Sequence, residues 1–142
     1  MNVKMKLIDG GKKPVFKHDG DVCADCHARI AGGSISIPAG TRVLVNLGFA
    51  LELPDGYEAV IRPRSGLSKD GIDIAIGTCD ASYRGEVKAC VINNRDEAYP
   101  VSDGDRICQL AIRKTEDITF VEADELSETE RGENGFGSSG LK

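Results

Sequence analysis

The chain has 142 residues, of which 40% are hydrophobic and 29% charged, and a formal net charge of −5. That size suits one domain with one modest core, and the acidic balance argues against a broad DNA- or RNA-binding face, which needs clustered positive charge. No apolar run approaches the roughly 18 residues needed to cross a bilayer, and no apolar segment follows the lysines near Met1, so no membrane partner and no secretion signal are expected and the chain reads as cytoplasmic.

Taken in chain order, the first feature is Cys23-Ala24-Asp25-Cys26-His27. It fits the C-x-x-C-H pattern of covalent haem attachment, but that chemistry requires export. The second axial ligand would have to come from His18, Met1 or Met5, none well placed. A zinc site would need a second C-x-x-C or H-x-x-x-H pair, which is missing. The five cysteines (Cys23, Cys26, Cys79, Cys90, Cys108) are odd in number, so reduced, structural thiols are the expectation.

Ile35 and Ile37 precede a Pro38-Ala39-Gly40 turn. Val43, Val45, Leu47, Phe49, Leu51 and Leu53 are then all apolar, with Asn46 and Glu52 among the residues between them. This period of two predicts a long half-buried strand bent at Gly48. Alternation resumes at Tyr57, Ala59 and Ile61, again at Ile72, Ile74 and Ile76, and again at Val87, Ala89 and Val91. Tyr83-Arg84-Gly85 reads as a hairpin turn region. Cys108, Leu110 and Ile112 form a further strand, and Ile118 with Phe120 a last short one. A turn of helix is expected over Ser65–Asp70 and another over Ala123–Arg131. Many short strands split by glycine and proline turns predict an all-β chain, a barrel or jelly-roll sandwich.

Three stretches have parts suited to chemistry. In Arg62-Pro63-Arg64-Ser65-Gly66-Leu67-Ser68, Pro63 favours an extended Arg62. Ser65 can cap a short helix, and Arg64 offers a bidentate phosphate contact. A solvated, capped turn explains the same residues. In Gly77-Thr78-Cys79-Asp80-Ala81-Ser82-Tyr83-Arg84-Gly85-Glu86, an ionised Asp80 near cations could deprotonate a water, or merely cap a turn. In the last stretch, Glu128 to Lys142, Gly132, Gly135, Gly137 and Gly140 accompany Arg131, Ser138 and Ser139. These are the parts of an anion clasp, or of a mobile polar tail. The Gly132–Gly137 spacing is that of a phosphate loop, but Ser138 stands where lysine belongs. Phe136 is the lone aromatic there, suited to stacking.

Together these stretches resemble, in order, the five motifs of the homotrimeric dUTPase family (dUTP diphosphatases). They are Val22-Cys23-Ala24-Asp25-Cys26-His27-Ala28; Pro63-Arg64-Ser65-Gly66-Leu67; Gly77-Thr78-Cys79-Asp80 through Tyr83-Arg84-Gly85; Gly104-Asp105-Arg106-Ile107-Cys108-Gln109-Leu110; and Arg131-Gly132-Glu133-Asn134-Gly135-Phe136-Gly137-Ser138-Ser139-Gly140. Cys23 and Cys26 depart from the glycine and leucine usual in the first motif. Cys79 and Ser139 are smaller changes.

The resemblance implies a jelly-roll-like distorted β-barrel over 1–127 and a mobile arm over 128–142. It implies a homotrimer whose sites each draw on three chains. Asp80 would activate water for attack on the α-phosphorus of dUTP, giving dUMP and diphosphate. Gly77, Thr78 and the backbone to about Lys88 would read uracil, and Tyr83 would pack under the deoxyribose. Arg64, Ser65, Gly66 and Gln109 would hold phosphates. Asp25 would orient waters on a Mg²⁺ bound to the triphosphate. Arg131 would neutralise outer phosphates, Phe136 would stack on uracil, and Gly137, Ser138 and Ser139 would close over the chain. Two other readings remain. One is a dCTP deaminase of the same fold, expected to carry a glutamate in the third region and a different serine-arginine motif in the second. The other is a non-catalytic jelly-roll binding protein.

Overall fold

Apolar residues at every second position pair into strands around one core, seen in a computed structural model that describes residues 1–133 and 135. In chain order these are β1 (Lys4–Leu7), β2 (Ala24–His27), β3 (Ser34–Ile37), β4 (Arg42–Asn46), β5 (Phe49–Glu52) and β6 (Tyr57–Arg62). They continue with α1 (Ser65–Lys69), β7 (Ile72–Ala75), β8 (Gly77–Cys79), β9 (Lys88–Asn93), β10 (Tyr99–Ser102) and β11 (Arg106–Lys114). The ladders form four sheets, ordered β1-β5, β10-β3, β2-β11-β6-β8 and β4-β9-β7. All pairings of these strands are antiparallel. Inward faces of the four sheets meet in one cluster that includes Ile37, Leu47, Phe49, Ile61, Val91 and Val101. The architecture is the expected all-β, jelly-roll-like distorted barrel.

β11 is the organising strand. It runs nine residues, pairs β2 on one side and β6 on the other, and carries Gln109 opposite Asp25 in the β2 register. A register shift between Arg106 and Cys108 lets Ile107 and Cys108 both turn inward, as a bulge does. Cys26 and Cys108 are register partners and fully buried. All five cysteines are free thiols.

Several local expectations are corrected. The 43–53 alternation is two strands in different sheets, because Gly48 takes φ +75° between β4 and β5, a conformation open to glycine. β7 ends at Ala75, and Ile76 is exposed. No two-stranded hairpin surrounds Tyr83-Arg84-Gly85: β8 pairs β6, while β9 pairs β4 and β7, so this segment crosses between sheets. The helix near Ser65 forms, but Arg64 occupies its N-cap and no side chain caps it. Its first bonds run from Leu67 and Ser68 N–H to the Arg64 carbonyl. The strand at Ile118 and Phe120 and the helix over Ala123–Arg131 do not form. Those apolar side chains are exposed, and short elements without a packing surface are not stable alone. The ladders end at Lys114, and residues 115–133 lie outside strand and helix.

Candidate active site

Two clefts each gather several of the expected site residues. The first, about 350 Å³, is lined by Lys17, His18, Asp21, Cys23, Asp25, Arg64, Arg106 and Gln109, with Val22 at its wall. At its floor is Asp25, 6% exposed. Arg64 Nε and Gln109 Nε2 donate to Asp25 Oδ1 at 3.2 and 3.1 Å, and Arg106 Nη1 donates to Oδ2 at 3.1 Å. Arg64 Nη1 also donates to the Arg106 carbonyl at 2.8 Å. Burial pushes the Asp25 carboxyl up, but the Gln109 hydrogen bond and the two guanidiniums outweigh it and hold the group below its ordinary value. Asp25 is therefore an ionised anchor for two cations. Two carboxylates, Asp21 and Asp25, against Arg64, Arg106 and Lys17 leave the cleft net positive by a single charge, a site for an anion with several oxygens.

Fold rather than motif spacing makes this cluster. Asp25 and Gln109 are cross-strand partners, Gln109 is also paired with Arg62 on β6, and Arg64 follows that strand by two residues. Arg106 belongs to the fourth motif but was not among the expected site residues. Its position two residues after Gly104 was the available signal. Lys17 carried no local signal and is brought in by the turn in which Lys17 and His18 N–H donate to Asp21 Oδ2 at 3.1 and 2.8 Å.

The second cleft, about 240 Å³, is lined by Thr78, Cys79, Asp80, Tyr83, Glu86, Val87 and Lys88. Tyr83 N–H donates to the Asp80 carbonyl at 3.0 Å, closing a turn. The Tyr83 hydroxyl donates to the Glu86 carbonyl at 3.1 Å. This cleft shares no lining residue with the first. Within one chain the structure brings Asp25, Arg64 and Gln109 together, and separately Thr78, Asp80, Tyr83 and Lys88. Gly77 opens β8 opposite Ile61. Ser65 and Gly66 begin α1, and a Cβ placed on Gly66 would meet nothing within 4 Å. Arg131 lies in exposed chain beyond β11. Phe136, Gly137, Ser138 and Ser139 fall outside the described residues.

The donor set can be tested for Mg²⁺. A carboxylate offers about four acceptor positions, and donors take three of those on Asp25. No group of three His, Cys, Asp or Glu converges as a metal cage among the described residues. The remaining acceptor position on Asp25 fits a hydrated ion carried by phosphates, in keeping with magnesium's retention of water. It does not fit a dedicated protein cage.

Comparison with known proteins agrees with this geometry. A family model described as dUTPase matches residues 25–140. A deoxyuridine 5'-triphosphate nucleotidohydrolase of Fusobacterium nucleatum is 43% identical over 97% of both chains. In fold, the chain resembles the dUTPase of Staphylococcus bacteriophage 80alpha solved with dUPNHPP, with TM-score 0.88, 24% identity and 99% of each chain covered. It also resembles a mutant dUTPase of phage phi11 of S. aureus, described as coordinating a structural Mg(II) ion. There the TM-score is 0.81 at 18% identity, covering 90% of this chain and all of the other. The family match over most of the chain, joined to that bacterial relative, establishes that the chain belongs to the dUTPase family.

Proposed function

We propose that this chain is a dUTP diphosphatase that hydrolyses dUTP to dUMP and diphosphate, limiting uracil in DNA and supplying dUMP for dTMP synthesis in the cytoplasm. The observation that carries the reading is the cationic cleft at Asp25, Arg64, Arg106 and Gln109, in a chain of this family whose Asp80 lines a second cleft with Tyr83.

Arg64, Ser65, Gly66 and Gln109 hold the phosphate oxygens, with Asp25 fixing the Arg64 guanidinium. Asp80 removes a proton from a water as that oxygen bonds to the α-phosphorus. The bond from the α-phosphorus to the bridging oxygen breaks, and diphosphate departs. Preorganised cations stabilise the charge that develops. Mg²⁺, when bound with the substrate, neutralises phosphate charge, and Asp25 would meet it through water. Thr78, Gly77, Tyr83 and Lys88 bound the nucleoside. The arm over 128–142, with Arg131, Phe136, Gly137, Ser138 and Ser139, closes over the triphosphate and excludes bulk water.

The clefts share no lining residue, and Phe16 and Val22 are exposed apolar residues that line a further cleft with Met5, Leu110 and Ile112. Both observations support a homotrimer in which copies complete one another's sites. A diphosphate-release assay across dUTP, dTTP, dCTP and UTP tests the activity. Turnover of dUTP alone is expected, and ammonia release from dCTP would overturn it. Asp80→Asn is expected to lower kcat by about 10²- to 10⁴-fold with dUTP binding retained; normal turnover by that variant refutes the assigned base.

A further inference from the structure

We propose that Arg29 is a positioning residue for the segment from Asp80 to Lys88, acting through Glu86. Arg29 itself lines neither cleft described above. Its Nε and Nη2 donate to Glu86 Oε1 and Oε2 at 2.9 and 2.8 Å. This two-pronged geometry fixes orientation as well as distance. The pair is largely shielded, with side chains 22% and 16% exposed, so water screens it less than a surface ion pair.

Glu86 is held from several directions. Its Oε1 also accepts Gly48 N–H at 3.0 Å. The next residue, Val87, is bonded on both sides: its N–H donates to the Phe49 carbonyl at 2.9 Å and its carbonyl accepts Leu47 N–H at 3.0 Å. Arg29 N–H is tied in turn to the Asn46 carbonyl at 2.8 Å. From this fixed end, the Tyr83 hydroxyl reaches back to the Glu86 carbonyl at 3.1 Å. Glu86, Tyr83 and Asp80 line the same cleft. The Glu86 carboxylate therefore ties one end of the cleft wall, and Arg29 is the cation that holds that carboxylate in register. Without it, Glu86 keeps only the Gly48 N–H among these partners, and a carboxylate half-withdrawn from water turns outward to be hydrated.

The inference rests on the reading of this segment as the nucleoside-binding wall. Arg29→Met, Arg29→Lys and Glu86→Gln are compared with the wild type by steady-state kinetics with dUTP, by dUMP binding and by amide hydrogen exchange. All measurements are made well below each variant's Tm. Arg29→Met is expected to raise the dUTP KM and the dUMP Kd together by about tenfold, with a much smaller change in kcat, the pattern of lost uniform binding. Exchange over residues 80–88 is expected to quicken. Arg29→Lys is expected to restore part of the binding, because an ammonium keeps the charge and loses the fork. Should Arg29→Met fail to fold, Glu86→Gln reads the same pair with little change in shape and is expected to shift in the same direction. A variant that lowers Tm while leaving KM, Kd and exchange at wild-type values overturns the proposal. Wild-type turnover of dUTP reports separately on the proposed activity, and exchange over 80–88 reports on Arg29 whatever the substrate.

Discussion

Asp25 and His27 sit on one strand, two residues apart, and both titrate out of their ordinary range. Asp25 is held below its ordinary value of 3.8: burial opposes this, and Gln109, Arg64 and Arg106 override burial. His27 is held below 6.5, first by burial and then by the charges of Lys12 and Arg106, and its buried Nδ1 has no hydrogen-bond partner among the described residues. In both cases the unfolded chain binds a proton more readily than the folded one, so stability rises with pH across each window. The His27 contribution is complete above its unfolded value of 6.5 and is lost as pH falls towards the depressed folded value. The Asp25 contribution is complete above 3.8 and is lost below it. Glu86, lowered by its bond to Arg29 against some desolvation, adds in the same sense in the acid range. Thermal unfolding followed from pH 8 to 3 should show a Tm that is level above neutrality and declines in two stages, and His27→Gln should remove the earlier stage. A Tm that rises on acidification through 6.5 contradicts the assignment.

At the scale of elements, the joint between β4 and β5 governs the second cleft. Gly48 sits at φ +75°, donates its N–H to Glu86 and accepts Ile8 N–H at 2.9 Å. Gly11 packs against it so closely that an added Cβ would lie 1.9 Å from the Gly48 oxygen and 2.7 Å from that of Ile8. These contacts are backbone, which cannot swing aside as a side chain can. Gly11→Ala should therefore destabilise the fold by about 1–3 kcal/mol or more, the usual cost of overpacking, read as a lower urea midpoint at unchanged m. Gly66→Ala is the control. With open space beside Gly66 and a helical backbone, that change should be neutral or stabilise by up to about 1 kcal/mol.

For the whole molecule, separation of the two clefts makes a prediction about assembly. If a complete site draws Asp80 from one copy and Arg64 from another, neither variant alone is active, but mixtures recover some intact sites. Asp80→Asn and Arg64→Ala, co-refolded in equal amounts, should regain about one quarter of wild-type activity by random assortment, with a light-scattering mass three times the 15.2 kDa subunit. A fully active species of single-subunit mass would contradict it. Fold class was legible from alternation in the 43–53, 57–61, 87–91 and 108–112 stretches, since those side chains face a shared core. The same signal misled at Ile76, Ile118 and Phe120, which alternate but find nothing to pack against. It was silent at β1, which has no buried residue, at β2, buried at three successive positions, at β8, three residues long, and at β10, with one buried residue. What the sequence determined by itself was the all-β class and the ordered set of motifs, because local pattern and residue chemistry survive without coordinates. The tertiary structure decided that Asp25 serves first as a counter-ion to Arg64 and Arg106, and that Lys17 joins their cleft. It also decided that the segment after Gly77 crosses between sheets and that Arg29 grips Glu86. The ion pairs of Asp25 and Arg29 join residues 39 to 81 positions apart, which no local reading of the chain can supply.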